Sequence, residues 1–417
     1  MPMNPLLKER EVAYNLADSG ATVLFAGPAS GPHAAAAARA AGVELVEVDE
    51  ESPALFTGPR PVSWLVHRAD DDVAVLLYTS GTTGHPKGAQ LTHSNLRHNA
   101  SVSATTLLLL GHEDVLLGCL PLFHAFGQSC VMNAAVCSGA CLSLLSPFDA
   151  ASALSVMERD GVTVFSGVPT MYSALLRQPA GSADTSTLRL CISGASALPV
   201  QVLEDFEAAY GAPVLEGYGL SETSPVASFN HPGRPRKAGS VGTPVSGVEM
   251  RLLDDTGREV GGDEIGEIAI RGHNVMRGYH GLPAATAEAI PDGWFRTGDL
   301  ARKDADGYYF LVDRKKELII RGGFNVYPRE IEEVLHQHPA VSEAAVVAIP
   351  HPELGEEIGA AVALCADADP AEIREFVRAR VAAYKYPRRV WVVDELPKGP
   401  TGKILRRDVV VPAGARS

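Results

Sequence analysis

Tyr78-Thr-Ser-Gly-Thr-Thr-Gly-His-Pro-Lys-Gly88 follows a short apolar run, Val73 to Leu77. Together they predict a buried strand that delivers a flexible, hydroxyl-rich loop to the surface. Such a loop suits phosphate: Gly lets backbone N–H groups approach closely, Thr and Ser hydroxyls add donors, and a Lys balances anionic oxygen. It is not a Walker A loop, which needs Gly-Lys-Ser/Thr opening a helix; here Pro86, lacking an N–H, precedes Lys87, and Gly88 follows. A plain Gly/Thr linker would need neither the strand before it nor the Lys inside it.

Around this loop the chain has 417 residues, more than one hydrophobic core usually serves, so two domains are expected. Its composition, 46% hydrophobic and 21% charged, is that of a soluble globular enzyme. A formal net charge of −14 argues against nucleic acid or an anionic membrane as main partner. The six cysteines contain no CxxC pair and are expected to be reduced core thiols rather than a disulfide or zinc framework. The N-terminus, with Lys8-Glu-Arg-Glu11 close behind it, does not resemble a signal peptide, and a cytoplasmic location is expected. No Asp, Glu, Lys or Arg stands between Asp114 and Asp149. Pro121, His124, Gln128, Asn133 and Gly139 interrupt that run and favour buried elements around a pocket over a membrane span.

From the start, periodicity predicts a helix from Leu6 to Asp18 stopped by Gly20, a strand from Ala21 to Ala26, a helix from His33 to Ala41 and a strand from Val43 to Val48. Helix and strand alternating at this spacing argue for α/β layers. Asn95 to Leu109 is read as a helix, and Val115 to Leu120 as a strand ending at Pro121-Leu-Phe-His-Ala-Phe-Gly127. Val162 to Phe165 and Leu188 to Ile192 are read as two further strands. From Gly239 onward strands dominate: Glu249 to Leu253, Gly266 to Arg271 and Tyr308 to Val312 suggest a small barrel-like subdomain. Beyond Asp313 to Glu317, the order of strands near Ala344 to Ile349 and Ala360 to Leu364 and an amphipathic helix from Ala371 to Tyr384 predicts a compact α+β unit. Two Pro and two Gly flanking a Lys in Pro397-Lys-Gly-Pro-Thr-Gly-Lys403 describe a rigid hairpin that presents Lys403 at a chosen point.

Residues 78–88 resemble the phosphate-binding signature of the adenylate-forming enzymes, a family that includes acyl- and aryl-CoA synthetases, firefly luciferase and the adenylation domains of peptide synthetases. The resemblance implies an α/β fold: a large N-terminal domain (1–313) of layered α/β sheets with the small barrel-like subdomain, then a small mobile α+β lid domain (314–417). It implies ATP and Mg²⁺ as cofactors, CoA as a substrate, and a small carboxylic acid as the other. In the family, a stretch like Asn4 to Ala13 lies well inside the large domain, so the leading section of the family is expected to be absent here.

Carried over residue by residue, the resemblance makes Thr79, Ser80, Gly81, Thr82, Thr83, Gly84 and Lys87 the phosphate loop. It makes Gly194, Ala195 and Ser196 adenine contacts, although Ser193-Gly-Ala-Ser-Ala-Leu-Pro199 taken alone is only a small-residue turn. Glu216-Gly217-Tyr218-Gly219, followed by Leu-Ser-Glu222-Thr223, resembles the second signature: Tyr218 stacks on adenine, Thr223 meets phosphate and Glu222 binds Mg²⁺. By itself Glu222 reads as an ordinary solvated carboxylate. Asp299 in Trp294-Phe-Arg-Thr-Gly-Asp299 becomes the ribose ligand, with Arg314 close by, and Lys316 the hinge of the lid. Gly322 and Gly323 line the pantetheine channel, and Lys403 is the catalytic lysine.

His124, which alone reads as a satisfied core histidine, stands by resemblance at the mouth of the acid pocket. Amino-acid-activating relatives place an Asp here to hold the ammonium group, and none occurs between Pro121 and Gln128. An acid without an amino group is therefore expected. Resemblance of Ala383-Tyr-Lys-Tyr-Pro387 and of Asn4 to Ala13 to bacterial fatty-acyl-CoA ligases makes a fatty acid the preferred substrate and an aryl acid the alternative. Acyl-AMP ligases are the nearest enzymatic rival, though their insertion near the domain junction is not evident between Phe310 and Tyr327. A different rival follows from the absent leading section: uncovered sheet edge would favour homo-oligomers, and the chain would bind nucleotide without completing ligation.

Overall fold

A computed structural model describes residues 1–49, 65–79, 86–400 and 402–415. The expected Ser80, Gly81, Thr82, Thr83 and Gly84 therefore lie outside the described residues.

The first helix runs Glu9–Ser19, three residues later than its periodicity suggests, because Asn4 uses its side chain and carbonyl to turn the chain at Leu6 and Leu7. Gly20, at φ +65°, ends it in the left-handed region. A parallel pair, Val23–Ala26 with Glu44–Glu47, is joined by the helix Gly31–Ala41. These pieces bury Val12, Leu16, Leu24, Ala34 and Ala37 in a small core of their own.

The phosphate-loop strand, Val73–Thr79, is half-buried and pairs antiparallel with Lys87–Thr92, which Gly278–Tyr279 extends to three strands. The larger sheet has seven strands in the order Thr243–Pro244, Val226–Phe229, Val214–Gly219, Leu190–Ser193, Val164–Gly167, Val115–Gly118 and Cys141–Leu144. Its last five members are parallel, and Leu116, Leu117, Val164, Phe165, Ile192 and Val214 are fully buried beneath flanking helices.

The helix expected from Asn95 to Leu109 is α-helical over His93–Val102 and widens to a π-helical turn over Ser103–Leu107. Thr105 and Thr106 donate to the carbonyls of Ser101 and Val102 at 2.8 and 2.7 Å, competing with the regular backbone ladder. The uncharged run resolves into short elements, and among the described residues no helix is long and apolar enough to cross a membrane. Three cysteines, Cys119, Cys130 and Cys191, are buried as expected, whereas Cys137, Cys141 and Cys365 are exposed.

The barrel-like subdomain is an antiparallel sheet of Val248–Leu253, Gly266–Gly272, Phe295–Lys303 and Tyr309–Arg314, whose pairing does not close on itself among the described residues. At the turn Lys315–Glu317 the chain passes to a second sheet that includes Ile319–Arg321, Phe324–Val326, Val341–His351, Gly355–Leu364 and Arg389–Val392. Helices Pro328–His336 and Pro370–Arg378 cover it, and Ile319, Ile331, Leu335, Val346, Ile358 and Val362 form a separate core. The second helix stops at Arg378, short of the expected Tyr384. Tyr384 instead stacks on Phe324, ring centroids 4.7 Å apart.

Candidate active site

In an open α/β sheet the helices cover both faces, so ligands collect where the parallel strands end at their carboxyl edge. Here that edge gathers the motifs. Val115–Gly118 leads to His124, Val164–Gly167 to Thr170, Leu190–Ser193 to Gly194, and Val214–Gly219 to Glu222. Gly194 is buried; a Cβ there would meet the Phe126 ring at 3.2 Å. Ala195 sits at φ +66°, a strained conformation for a residue with a side chain, and Ser196 is exposed beside it.

Tyr218 and Asp299 meet below this edge. The Tyr218 hydroxyl donates to Asp299 Oδ2 at 2.6 Å, and Arg314 Nε lies 3.1 Å from Asp299 Oδ1. Burial pushes the Asp299 carboxyl up, opposed by Arg314, by the phenol and by Lys403. Lys403 itself is held below its ordinary value, chiefly by burial and then by the Arg314 charge. The His124 imidazole is lowered to about 4 by burial and by Lys403, so it is neutral near pH 7. His124, Asp299, Arg314 and Lys403 thus share one electrostatic neighbourhood although 279 residues separate the first from the last.

The hairpin expected around Lys403 is present. Lys398 and Ile404 bridge antiparallel, and Gly399 N–H donates to the Lys403 carbonyl at 2.8 Å. Its tip is docked on the first turn of the helix Pro169–Leu176, just past the strand Val164–Gly167, where Thr170 Oγ1 donates to the Gly402 carbonyl at 3.1 Å. Arg406, just beyond, reaches Asp313 at 2.9 Å and both Glu317 and Glu332 at 2.5 Å. This cluster ties the hairpin to the strand that carries Arg314 and to the helix Pro328–His336.

A second group lies at the phosphate-loop stems. Glu222 Oε1 accepts from Thr79 Oγ1 at 3.3 Å and from the Tyr279 hydroxyl at 3.1 Å, and Lys87 Nζ lies 5.1 Å from the Tyr279 ring centre. Among the described residues no group of three or more His, Cys, Asp or Glu is placed to hold a metal alone. One hard carboxylate oxygen with neutral hydroxyls beside it fits Mg²⁺, which keeps several waters and borrows ligands from substrate phosphates.

Two residues of the second signature turn inward. Thr223 is fully buried, and its hydroxyl donates to the Pro225 carbonyl at 2.5 Å while accepting from Leu220 N–H at 3.0 Å, so it holds a turn. Glu216, Gly217, Tyr218 and Gly219 lie in the strand Val214–Gly219. A Cβ on Gly217 would stand 2.3 Å from Phe229, and one on Gly219 2.0 Å from the Pro225 carbonyl oxygen. Glu216 is buried; Oε1 accepts from Leu198 N–H at 3.0 Å while Oε2 has no hydrogen-bond partner among the described residues, and burial raises the carboxyl to about 7.

Lys316 is exposed in the Lys315–Glu317 turn. Gly322 and Gly323 form the exposed turn of the hairpin Ile319–Arg321/Phe324–Val326, held by Gly322 N–H to the Leu354 carbonyl at 2.9 Å. Sequence reasoning assigned nothing to Thr170, Arg406, Tyr14 or Asp18. A basic residue three positions past the hairpin lysine was the one available signal, for Arg406.

The chain matches the AMP-binding enzyme family over residues 1–280 and the AMP-binding enzyme C-terminal domain over residues 330–403. It is 42% identical over 344 residues to a long-chain-fatty-acid--CoA ligase of Bacillus subtilis (strain 168), an alignment covering 81% of this chain and 61% of that protein. It is 40% identical over 419 residues to a feruloyl-CoA synthase of Amycolatopsis sp., covering 98% of this chain and 82% of the relative. Among solved structures, ATP-bound MatB from Rhodopseudomonas palustris superposes with a TM-score of 0.90 at 33% identity, covering 98% of this chain and 82% of that one. A benzoate CoA ligase from Burkholderia xenovorans LB400 gives 0.89 at 31% identity, covering 97% and 83%.

Proposed function

Because the chain belongs to the AMP-binding enzyme family, we propose that it is an ATP-dependent acid:CoA ligase that works through an acyl-adenylate. One observation carries the reading: the C-terminal hairpin seats Lys403 at the carboxyl edge of the parallel sheet beside Asp299, Arg314 and His124.

In the first half-reaction an oxygen of the acid attacks the α-phosphorus of ATP, and the bond to pyrophosphate breaks. Lys403 and Lys87, with hydroxyls from Thr79 and from Ser80, Thr82 and Thr83, stabilise the charge that develops on phosphate oxygens. Asp299, fixed by Tyr218 and Arg314, accepts the ribose hydroxyls, and Gly194, Ala195 and Ser196 border the adenine. Glu222 would hold Mg²⁺, which when bound neutralises phosphate charge. In the second half-reaction the C-terminal unit, residues 314–417, turns at Lys316, withdraws Lys403 and brings Gly322 and Gly323 to the site. The CoA sulfur, its proton lost to solvent, then attacks the acyl carbon and AMP leaves.

The substrate reading is a fatty acid, supported by the uncharged segment around His124 and by the Bacillus subtilis relative. An aryl acid is the second reading, favoured by the feruloyl-CoA synthase, which aligns with nearly the whole chain. A cytoplasmic location completes the proposal. Incubation of the purified chain with ATP, Mg²⁺, CoA and octanoate, palmitate, benzoate or ferulate tests it. One acid class should yield acyl-CoA, AMP and pyrophosphate in equal amounts. ADP as product, or AMP without thioester, would count against a CoA ligase.

A further inference from the structure

The helix Glu9–Ser19 touches both stems of the phosphate loop. Tyr14 and Asp18 are four residues apart and therefore share one helix face. Asp18 Oδ2 accepts from the Tyr78 hydroxyl at 2.5 Å, immediately before Thr79. The Tyr14 hydroxyl donates to the Pro86 carbonyl at 3.0 Å, immediately before Lys87. The two phenol rings meet edge to face with centroids 6.5 Å apart.

We propose that Tyr14 and Asp18 are positioning residues that clamp the two stems of the phosphate loop and so set the places of Thr79 and Lys87. Tyr78 faces Gly88 across the strand pair, and Thr79 faces Lys87 in the next register position. A Cβ on Gly88 would stand 3.2 Å from Tyr78 Cζ, so the phenol ring lies against bare backbone and is held at its far end by Asp18. A carboxylate in the last turn of a helix is disfavoured by the helix dipole. Its partner Tyr78, kept protonated by burial and by Asp18 itself, gives that placement a purpose. The helix otherwise packs into the small N-terminal core, so these contacts couple that core to the loop. Neither residue would touch substrate; each acts through a stem.

This inference rests on the ligase reading for its kinetic test but carries an independent binding test. Tyr14→Phe, Tyr78→Phe, Asp18→Ala and Asp18→Asn are compared with the unaltered chain for ATP dissociation constant by equilibrium dialysis, KM for ATP and for the acid, kcat, and thermal unfolding. Each of the first three is expected to weaken ATP binding about 3- to 10-fold, the range of one lost hydrogen bond, with the KM of the acid unchanged. Asp18→Asn, which retains a carbonyl acceptor, should recover part of the loss. The double variant Asp18→Ala/Tyr78→Phe should be no weaker than the worse single variant, because both remove one bond. Unchanged ATP affinity in folded variants would overturn the inference, as would multiplied losses in the double variant or equal losses for ATP and acid that track stability. Tyr78→Phe and Tyr14→Phe keep their rings, which protects the test against unfolding. If the unaltered chain makes no adenylate with any acid, the ligase reading fails, and the ATP dissociation constants still decide the inference.

Discussion

Thr170 and Gly402, 232 residues apart, are joined by a hydrogen bond from the threonine hydroxyl to the glycine carbonyl at 3.1 Å. It docks the C-terminal hairpin on the first turn of the helix Pro169–Leu176, next to the sheet edge that gathers the candidate site. Gly402 sits at φ +79°, and a Cβ there would come within 2.9 Å of Thr170 Oγ1 and 3.2 Å of Val168 Cγ2. Gly402→Ala is therefore expected to lift the hairpin away from Thr170. Adenylation should slow by roughly tenfold or more, since positioning of one catalytic group contributes at least that much. Thermal unfolding should show the hydrophobic cores intact; adenylation at the unaltered rate would mean that the docked hairpin is not the adenylating arrangement.

Removing the ammonium tests its role more directly. Lys403→Ala should reduce acyl-adenylate formation on the order of 100-fold or more, as loss of a preorganised charge at a developing oxyanion does. Thioester formation from supplied acyl-adenylate should change far less. Equal losses in both half-reactions would contradict the assignment.

At the turn between the two sheets, the neighbouring amides are engaged, with Lys315 N–H on the Gly298 carbonyl and Glu317 N–H on that of Arg314, both at 2.9 Å. Lys316 stands exposed between them. Lys316→Pro fixes φ at this one position. It should leave adenylation close to normal and depress thioester formation, the reverse of Lys403→Ala. A full rate of the second half-reaction in this variant would place the rotation elsewhere.

Glu216 predicts a pH dependence of folding. Its carboxyl is raised from the ordinary glutamate value to about 7 by burial, so the folded chain holds this proton where the unfolded chain has lost it. The associated stability is present below the unfolded value, falls as pH rises from about 4.5 to 7, and is lost above that, by up to about 3 kcal/mol. Glu216→Gln should flatten this part of the profile and leave the chain more stable than the unaltered one at pH 8. Urea denaturation from pH 5 to 8 measures it; an unchanged slope in Glu216→Gln would refute the buried-proton account.

Much of this architecture was written locally. Apolar runs ending in Gly and small polar residues marked the strands and what they deliver, and Pro and Gly around Lys403 marked the hairpin. Chemistry held by long-range partners was not legible. Asp18 and Tyr14 look like solvent-facing positions of an amphipathic helix until Tyr78 and Pro86 appear opposite them, 60 and 72 residues away. Arg406 lies just past that hairpin with no partner in its own segment among the described residues, whereas Asp313, Glu317 and Glu332 surround it. Thr223 shows the converse: the motif places it beside phosphate chemistry, while its hydroxyl closes a buried turn. Periodicity reports which face of an element is apolar, and not which distant backbone will satisfy a polar group.

The chemistry proposed for this arrangement is adenylation of a carboxylic acid lacking an amino group. ATP–pyrophosphate exchange by the purified chain, with short, medium and long fatty acids, benzoate, cinnamate and amino acids supplied in turn, tests it most directly. Exchange is expected with fatty or aryl acids, reduced on the order of 100-fold or more in Lys403→Ala, and none with amino acids. Exchange with amino acids alone, or no exchange from a folded chain that binds ATP, would contradict it.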